Sequence, residues 1–214
     1  MFIGHYGIGY LVKKKENDIP LWTLFLAVQL LDIIAFLLVL LSVESASFSQ
    51  NNNPFFRNEL NLPYSHSLAG AIIISLFVLG FYRLNDKKRW GWILSLCVLS
   101  HWFIDVIVHQ PDMSIFFGNY HLGLGLWKYP YLVYGIEVAM FFLGWILWKK
   151  KNFFSYLLLF LVIGSFSGMV FGHEPDFIQD NEILRTFIVL MVNILFIYIA
   201  YLSDKKDRKQ KIIS

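Results

Sequence analysis

Six apolar stretches divide this 214-residue chain, at residues 21–43, 66–82, 90–108, 131–148, 153–171 and 183–202. At 1.5 Å of rise per residue, each is about long enough to cross a hydrocarbon core of roughly 30 Å. Such a chain has few ways to fold, because backbone polar groups inside a bilayer must be satisfied within the spanning segment or in a closed barrel. Uninterrupted runs such as residues 156–163 lack the alternation of a barrel strand. The expectation is therefore an all-α polytopic membrane protein: about six transmembrane helices in one domain over 1–214, with a bundle at 21–202. A short N-terminal segment at 1–12, re-entrant or interfacial, precedes the bundle, and a basic tail at 203–214 follows it. The composition agrees, at 57% hydrophobic residues with a mean hydropathy of +0.57.

The basic residues set an orientation. Fifteen of the 18 Lys and Arg lie at alternate ends of the stretches, in Lys13–Lys15, in Arg83 and Lys87–Arg89, in Lys149–Lys151, and in the tail from Lys205 to Lys211. The other ends hold only Arg57, Lys128 and Arg185. By the positive-inside rule both termini are cytoplasmic. The tail then lies against anionic headgroups, and a nucleic-acid partner is not expected. Residues 1–12 lack the basic region of a signal peptide and read as mature protein. The single cysteine, Cys97, sits in an apolar stretch and reads as core packing. The polar connection at 44–65 contains Ser49-Gln50-Asn51-Asn52-Asn53-Pro54 and reads as a flexible loop outside the membrane.

Ionisable residues stand inside or beside these stretches: His5, Asp32, His66, His101, Asp105 and His109. Each costs roughly 2.5–3.5 kcal/mol at the centre of a bilayer even on a lenient scale, which makes them functional candidates. His101, Asp105 and His109 are spaced four apart and so share a helix face. His101 falls about 16 Å from the cytoplasmic end of its helix, Asp105 about 22 Å and Asp32 about 18 Å. His66 opens its helix behind Pro63-Tyr64-Ser65, a sequence that suits a first helical turn. No stretch carries a Lys or Arg in its central part. Asp32 and Asp105 must then be protonated, paired with a protonated His, or bound to a metal. Imidazole with carboxylate is a normal shell for zinc, and Mn and Fe are the other candidates.

His66, His101 and Asp105 are the expected ligands, with His5 and Asp32 completing the shell or holding a second ion. A carboxylate outside the shell, Asp32 or Glu44, is the candidate general base. Glu137 suits a ligand-orienting role, and His109, Asp112, His121 and Trp127 lie near the same outer mouth. His173 is another histidine whose simplest role is a local hydrogen bond. Tyr64, Trp102, Phe116, Phe117 and Trp127 either line a lipid entrance or form an interfacial aromatic belt.

The stretches Gly4-His5-Tyr6-Gly7-Ile8-Gly9, Pro63-Tyr64-Ser65-His66-Ser67, Ser100-His101-Trp102-Phe103-Ile104-Asp105, His109-Gln110-Pro111-Asp112 and Leu122-Gly123-Leu124-Gly125-Leu126-Trp127 carry a resemblance. They resemble a bacterial family of small multi-pass inner-membrane proteins described as metal-dependent hydrolases, some of them named for binding LexA. The resemblance covers about the first two thirds of the chain. Gln110 departs from the Arg that precedes the proline in many relatives. The family implies a bacterial inner-membrane location and a metal.

The resulting expectation is a hydrolase that activates water on a metal and cleaves a lipid ester, amide or phosphodiester from the outer leaflet. Membrane lipids are the expected partners, and a homo-oligomer is left open. The alternative is a proton- or ion-coupled transporter or metal-handling permease using the same Asp and His residues. Against it, the sequence has no inverted repeat and no Gly/Pro-interrupted helix pair.

Overall fold

The computed structural model describes residues 2–48, 53–56, 58–149, 151–172, 178 and 181–213. Among these the protein is mostly helical. Helix α1 is Gly4–Lys15, α2 Leu21–Val28, α3 Leu30–Leu40, α4 Leu68–Leu84, α5 Lys88–Val108, α6 Pro130–Leu147, α7 Phe153–Phe171 and α8 Glu182–Ile213. Four of them, α5, α6, α7 and the Glu182–Lys205 part of α8, are long and apolar enough to cross a membrane. The pair α2 and α3 adds a fifth if its two parts count as one span, and α4 is apolar but shorter.

The first apolar stretch is not one straight helix. It bends by 57° between α2 and α3, at Gln29, with no proline or glycine there to announce the break. What holds the bend is tertiary: the Gln29 side-chain amide donates to the Phe2 carbonyl at 3.1 Å, and the Val28 carbonyl accepts from a histidine of α5. A break of this kind is tolerated where the freed backbone groups find partners inside the protein.

Helix α1 is largely buried, packed against α6 and α2. Its glycines explain how. A Cβ on Gly7 would lie 2.5 Å from the Met140 carbonyl oxygen, and one on Gly144 would lie 2.6 Å from that of Gly7. The two backbones therefore cross in contact, as small residues permit. The glycine-rich start of the chain serves helix packing. Its first turn is held by Glu137 of α6, whose Oε2 accepts from the backbone N–H groups of Phe2, Ile3 and Gly4 at 2.7, 2.8 and 3.2 Å. A carboxylate there satisfies orphan donors and complements the helix dipole. Tyr6 adds a hydrogen bond to Asn193 of α8 at 2.6 Å.

The basic segments gather at one end of the bundle. Arg89 pairs with Glu16 at 2.6 Å, Lys13 approaches Asp204 at 3.6 Å, and the Asn152 side chain donates to the Ser203 carbonyl at 3.0 Å. The indole N–H of Trp90 donates to Asp18 and helps hold that exposed carboxylate below its usual range.

The opposite end carries two short hairpins, which an all-α reading does not contain. Strands β1, Ser45–Phe48, and β2, Asn58–Asn61, pair antiparallel with Ser45 opposite Asn61. The connection expected as a flexible loop is thus partly ordered; residues 49–52 and 57 lie outside the described set. Strands β3, Met113–Phe116, and β4, Asn119–Leu122, form the second hairpin. The segment after β4 then closes the end of α5: Leu124 N–H donates to Val106 O at 2.8 Å and Gly125 N–H to His109 O at 2.6 Å. Gly125 has φ +69°, and a Cβ on Gly123 would sit 1.9 Å from Gln110 O. Only glycine fits there.

Candidate metal centre

Four segments deliver the centre. Helix α1 brings His5, the first turn of α3 brings Asp32, the residues before α4 bring His66, and α5 brings His101 and Asp105. All five proposed ligands meet. Two triads, His5–His101–Asp105 and Asp32–His66–His101, each have their donor atoms within 4.8 Å of one another and could hold a metal ion. His5, which the sequence left least anchored, lies with its Nε2 3.1 Å from Asp105 Oδ1 and its ring stacked 3.8 Å from that of His101.

The protons on the imidazoles follow from their partners. His101 Nδ1 is 2.6 Å from the Val28 carbonyl oxygen. A carbonyl only accepts, so Nδ1 carries the proton and Nε2 of the neutral ring is bare. Buried His101 Nε2 makes no hydrogen bond, although Asp105 Oδ2 lies 3.1 Å away. His66 follows the same logic through Ser65. The Ser65 hydroxyl donates to Glu44 Oε2 at 2.6 Å, and its oxygen is 3.0 Å from His66 Nδ1. With its one proton committed to a carboxylate, Ser65 accepts from His66 Nδ1–H, and Nε2 of the neutral His66 ring is bare as well.

Two imidazole Nε2 atoms thus face two carboxylates. His66 Nε2 is 3.2 Å from Asp32 Oδ1 and 3.7 Å from Asp105 Oδ2. His101 Nε2 is 3.6 Å from Asp32 Oδ1 and 3.1 Å from Asp105 Oδ2. Acceptors this close repel unless a proton on the ring or a metal cation lies between them. Bonds of about 2.0–2.1 Å to a tetrahedral ion imply ligand atoms roughly 3.3 Å apart, which these separations bracket. The donor set and its spacing could hold a metal ion.

The centre opens on a cleft bounded by α3, α7, α8 and the β1–β2 hairpin. Asp32, His66 and Asp105 line it, with apolar walls that include Phe36, Leu62 and Val189. Asp32 is the most exposed of the charged members, with 19% of its side chain accessible.

The remaining candidates fall around this core. Glu44 is buried behind His66, accepting from the backbone N–H groups of Tyr64 and Ser65 at 2.8 Å each as well as from the Ser65 hydroxyl. A serine and an imidazole stand between it and the cleft. Glu137 acts one step further out, through the backbone that carries His5. His109 caps the end of α5 and lines the cleft, donating from Nδ1 to Asp112 at 3.0 Å. Burial holds its imidazole below the usual range. Trp127 lines the cleft too, with its ring 3.8 Å from that of His109. His121 lies on β4, which is exposed, and His173 is outside the described residues. Trp102 is buried and donates to the His66 carbonyl at 3.0 Å, whereas Tyr64, Phe116 and Phe117 are exposed.

Sequence reasoning missed three participants. Helix α4 starts at Leu68 with Ser67 as its cap, so His66 precedes the helix, and Ser65 is a link to Glu44 instead of a cap. Val28 contributes a backbone carbonyl, which no residue pattern reveals. Arg185, visible only as a basic residue at the sparse end of the charge pattern, lines the cleft together with Thr186.

Comparisons of the chain with protein-family models, with curated proteins and with solved structures find no match, and the reading of the centre rests on its own geometry.

Proposed function

We propose that the chain is a membrane-embedded metal-dependent hydrolase, as its resemblance to the inner-membrane hydrolase family suggests. One observation carries the reading: the Nε2 atoms of His66 and His101 converge on carboxylate oxygens of Asp32 and Asp105 at 3.1–3.7 Å, beside a cleft. In this reading His66, His101 and Asp105 hold a Zn²⁺-like ion, and His5 fixes Asp105 through its second oxygen. Asp32, on the cleft side, is the general base that takes the proton of the attacking water. A bound divalent ion supplies Lewis acidity and lowers the pKa of a coordinated water to about 7. Ser65 with Glu44, and the Val28 carbonyl, keep both imidazoles in the ligating tautomer.

The chain crosses the bacterial inner membrane six times, α2 with α3 making one crossing and α4 another. Both termini are cytoplasmic, in keeping with the basic residues gathered at one end. The cleft, at the other end, receives a lipid from the outer leaflet. The test is turnover of ester-, amide- and phosphodiester-containing lipids by the purified protein. Product release that His101→Ala abolishes while helicity is retained supports hydrolysis. Turnover unchanged in that variant removes the centre from the reaction.

A further inference from the structure

A second cavity, of about 650 Å³, lies at the basic end of the bundle and shares no lining residue with the cleft of the metal centre. It is bounded by the start of α2, by the turn from α4 into α5, and by residues 201–205 of α8. Helix α2 packs on both α5 and α8, and α4 packs on α5, so the cavity is a wedge between two groups of helices. Two ring pairs line it: Trp22 meets Tyr201 edge-on at 6.5 Å, and Tyr82 meets Trp90 at 6.3 Å. Indole and phenol rings of this kind sit at headgroup level in a bilayer.

Two lysines belong to the same lining, and neither is held by an acid. Lys87 Nζ lies 4.5 Å over the Trp90 ring, Lys205 is exposed, and among the described residues neither forms an ion pair. The one acid of the lining, Asp204, is buried and engaged by α1 and α2: it accepts from the Trp22 backbone N–H at 3.3 Å and lies 3.6 Å from Lys13 Nζ. Asp18, which takes the Trp90 indole N–H, and Asp86 stand outside the lining. The cavity therefore combines a positive balance with aromatic walls. An ammonium is a compact charge suited to phosphate oxygens, and the exposed Phe81 ring beside it suits an acyl chain. A zwitterionic headgroup brings an ammonium of its own, which a second lysine repels; a headgroup with one net negative charge meets no such penalty.

We infer that this cavity is the binding site of one anionic phospholipid of the cytoplasmic leaflet, with its phosphate between Lys87 and Lys205 and an acyl chain against Phe81 and Tyr201. The choice of leaflet rests on the orientation proposed above. The site depends neither on the metal nor on hydrolysis.

The test is lipid binding to the full-length protein in detergent, which is independent of orientation. Phosphatidylglycerol and phosphatidylcholine of equal acyl length, with brominated chains, are titrated and read by quenching of tryptophan fluorescence, since Trp22 and Trp90 line the cavity. Phosphatidylglycerol is expected to bind saturably and more tightly than phosphatidylcholine. Lys87→Gln/Lys205→Gln weakens it about 25-fold, roughly fivefold for each lysine. Lys14→Gln/Lys15→Gln removes two exposed charges from the same end of the bundle and changes it by no more than about twofold. Both double variants are expected to keep the helicity of wild type. Equal affinity for the two lipids, or a preference for phosphatidylglycerol that survives Lys87→Gln/Lys205→Gln, overturns the inference. Equal losses in the two double variants overturn it as well, because the attraction is then that of a basic surface and not of a site. Displacement of the bound lipid by glycerol 3-phosphate at equal concentration assigns the cavity to a soluble anion and overturns the lipid.

Discussion

His101 Nδ1 donates to the backbone carbonyl of Val28 across a 2.6 Å hydrogen bond, at the point where α2 and α3 bend by 57°. The bend and the ligand explain each other. An unbroken helix would occupy the Val28 carbonyl with the N–H four residues on, and a free carbonyl at this depth needs a donor. His101 supplies the donor and thereby turns Nε2 toward Asp105 and Asp32.

The same logic applies to His66 through a side-chain link, which makes it testable. Ser65→Ala removes the acceptor of His66 Nδ1–H, and Glu44→Gln weakens the hold on Ser65. Loss of such supporting partners typically lowers metal affinity about 10–100-fold. Competition with a chromogenic chelator is expected to show that loss in both variants, with Ser65→Ala keeping a melting temperature near wild type in the absence of metal.

Glu137 is expected to control His5 from a distance. Its Oε2 accepts three backbone N–H groups at the start of α1. Glu137→Ala strands buried donors, each costing about 1–3 kcal/mol before relaxation. Thermal unfolding in detergent is expected at a clearly lower temperature, with metal affinity reduced as well. Glu137→Gln, which keeps an acceptor oxygen, is expected to lie between wild type and Ala.

The contact of α1 with α6 gives a contrast between two glycines. Gly7→Val has no space, because a Cβ there already meets Met140 O at 2.5 Å, and overpacking of this kind costs about 1–3 kcal/mol or more. Gly80→Ala meets nothing within 4 Å, and in the middle of α4 it is expected to stabilise by roughly 0.5–1 kcal/mol. Melting temperatures of the two variants are expected to move in opposite directions, and only Gly7→Val is expected to lose metal through displacement of His5.

A chelator should act as a destabiliser of the wild-type fold. An ion that binds only the folded state and is present at 100 times its Kd contributes about 2.7 kcal/mol. Stripping it is therefore expected to lower the melting temperature of wild type and to leave that of His101→Ala almost unmoved.

Much of the centre was legible in the sequence because helical periodicity is a strong rule. The four-residue step from His101 to Asp105 puts both on one face, and equal depth along the helices brought Asp32 level with them. His66 was found by its flanking residues, although the helix starts two residues later than expected. The bend at Gln29 was not legible, since its causes are a hydrogen bond to Phe2 and another to His101, both far away in sequence. The glycines of Gly4-His5-Tyr6-Gly7 suggested little until the backbone of α6 was seen against them. Short strands such as Ser45–Phe48 gave no sign either, being brief and polar, with register set by pairing across a connection. Arg185 was read only as a topology signal, because nothing local says that the start of α8 faces the cleft.

The central claim is that His66, His101 and Asp105 hold a metal ion beside Asp32. It is tested most directly by elemental analysis of protein purified in detergent without chelator or a histidine tag, with His101→Ala and Asp105→Asn prepared in parallel. The account predicts on the order of one equivalent of Zn, Mn or Fe in wild type, lost from both variants while their helicity is retained. Folded wild type that holds no metal, even after incubation with these ions, would contradict it.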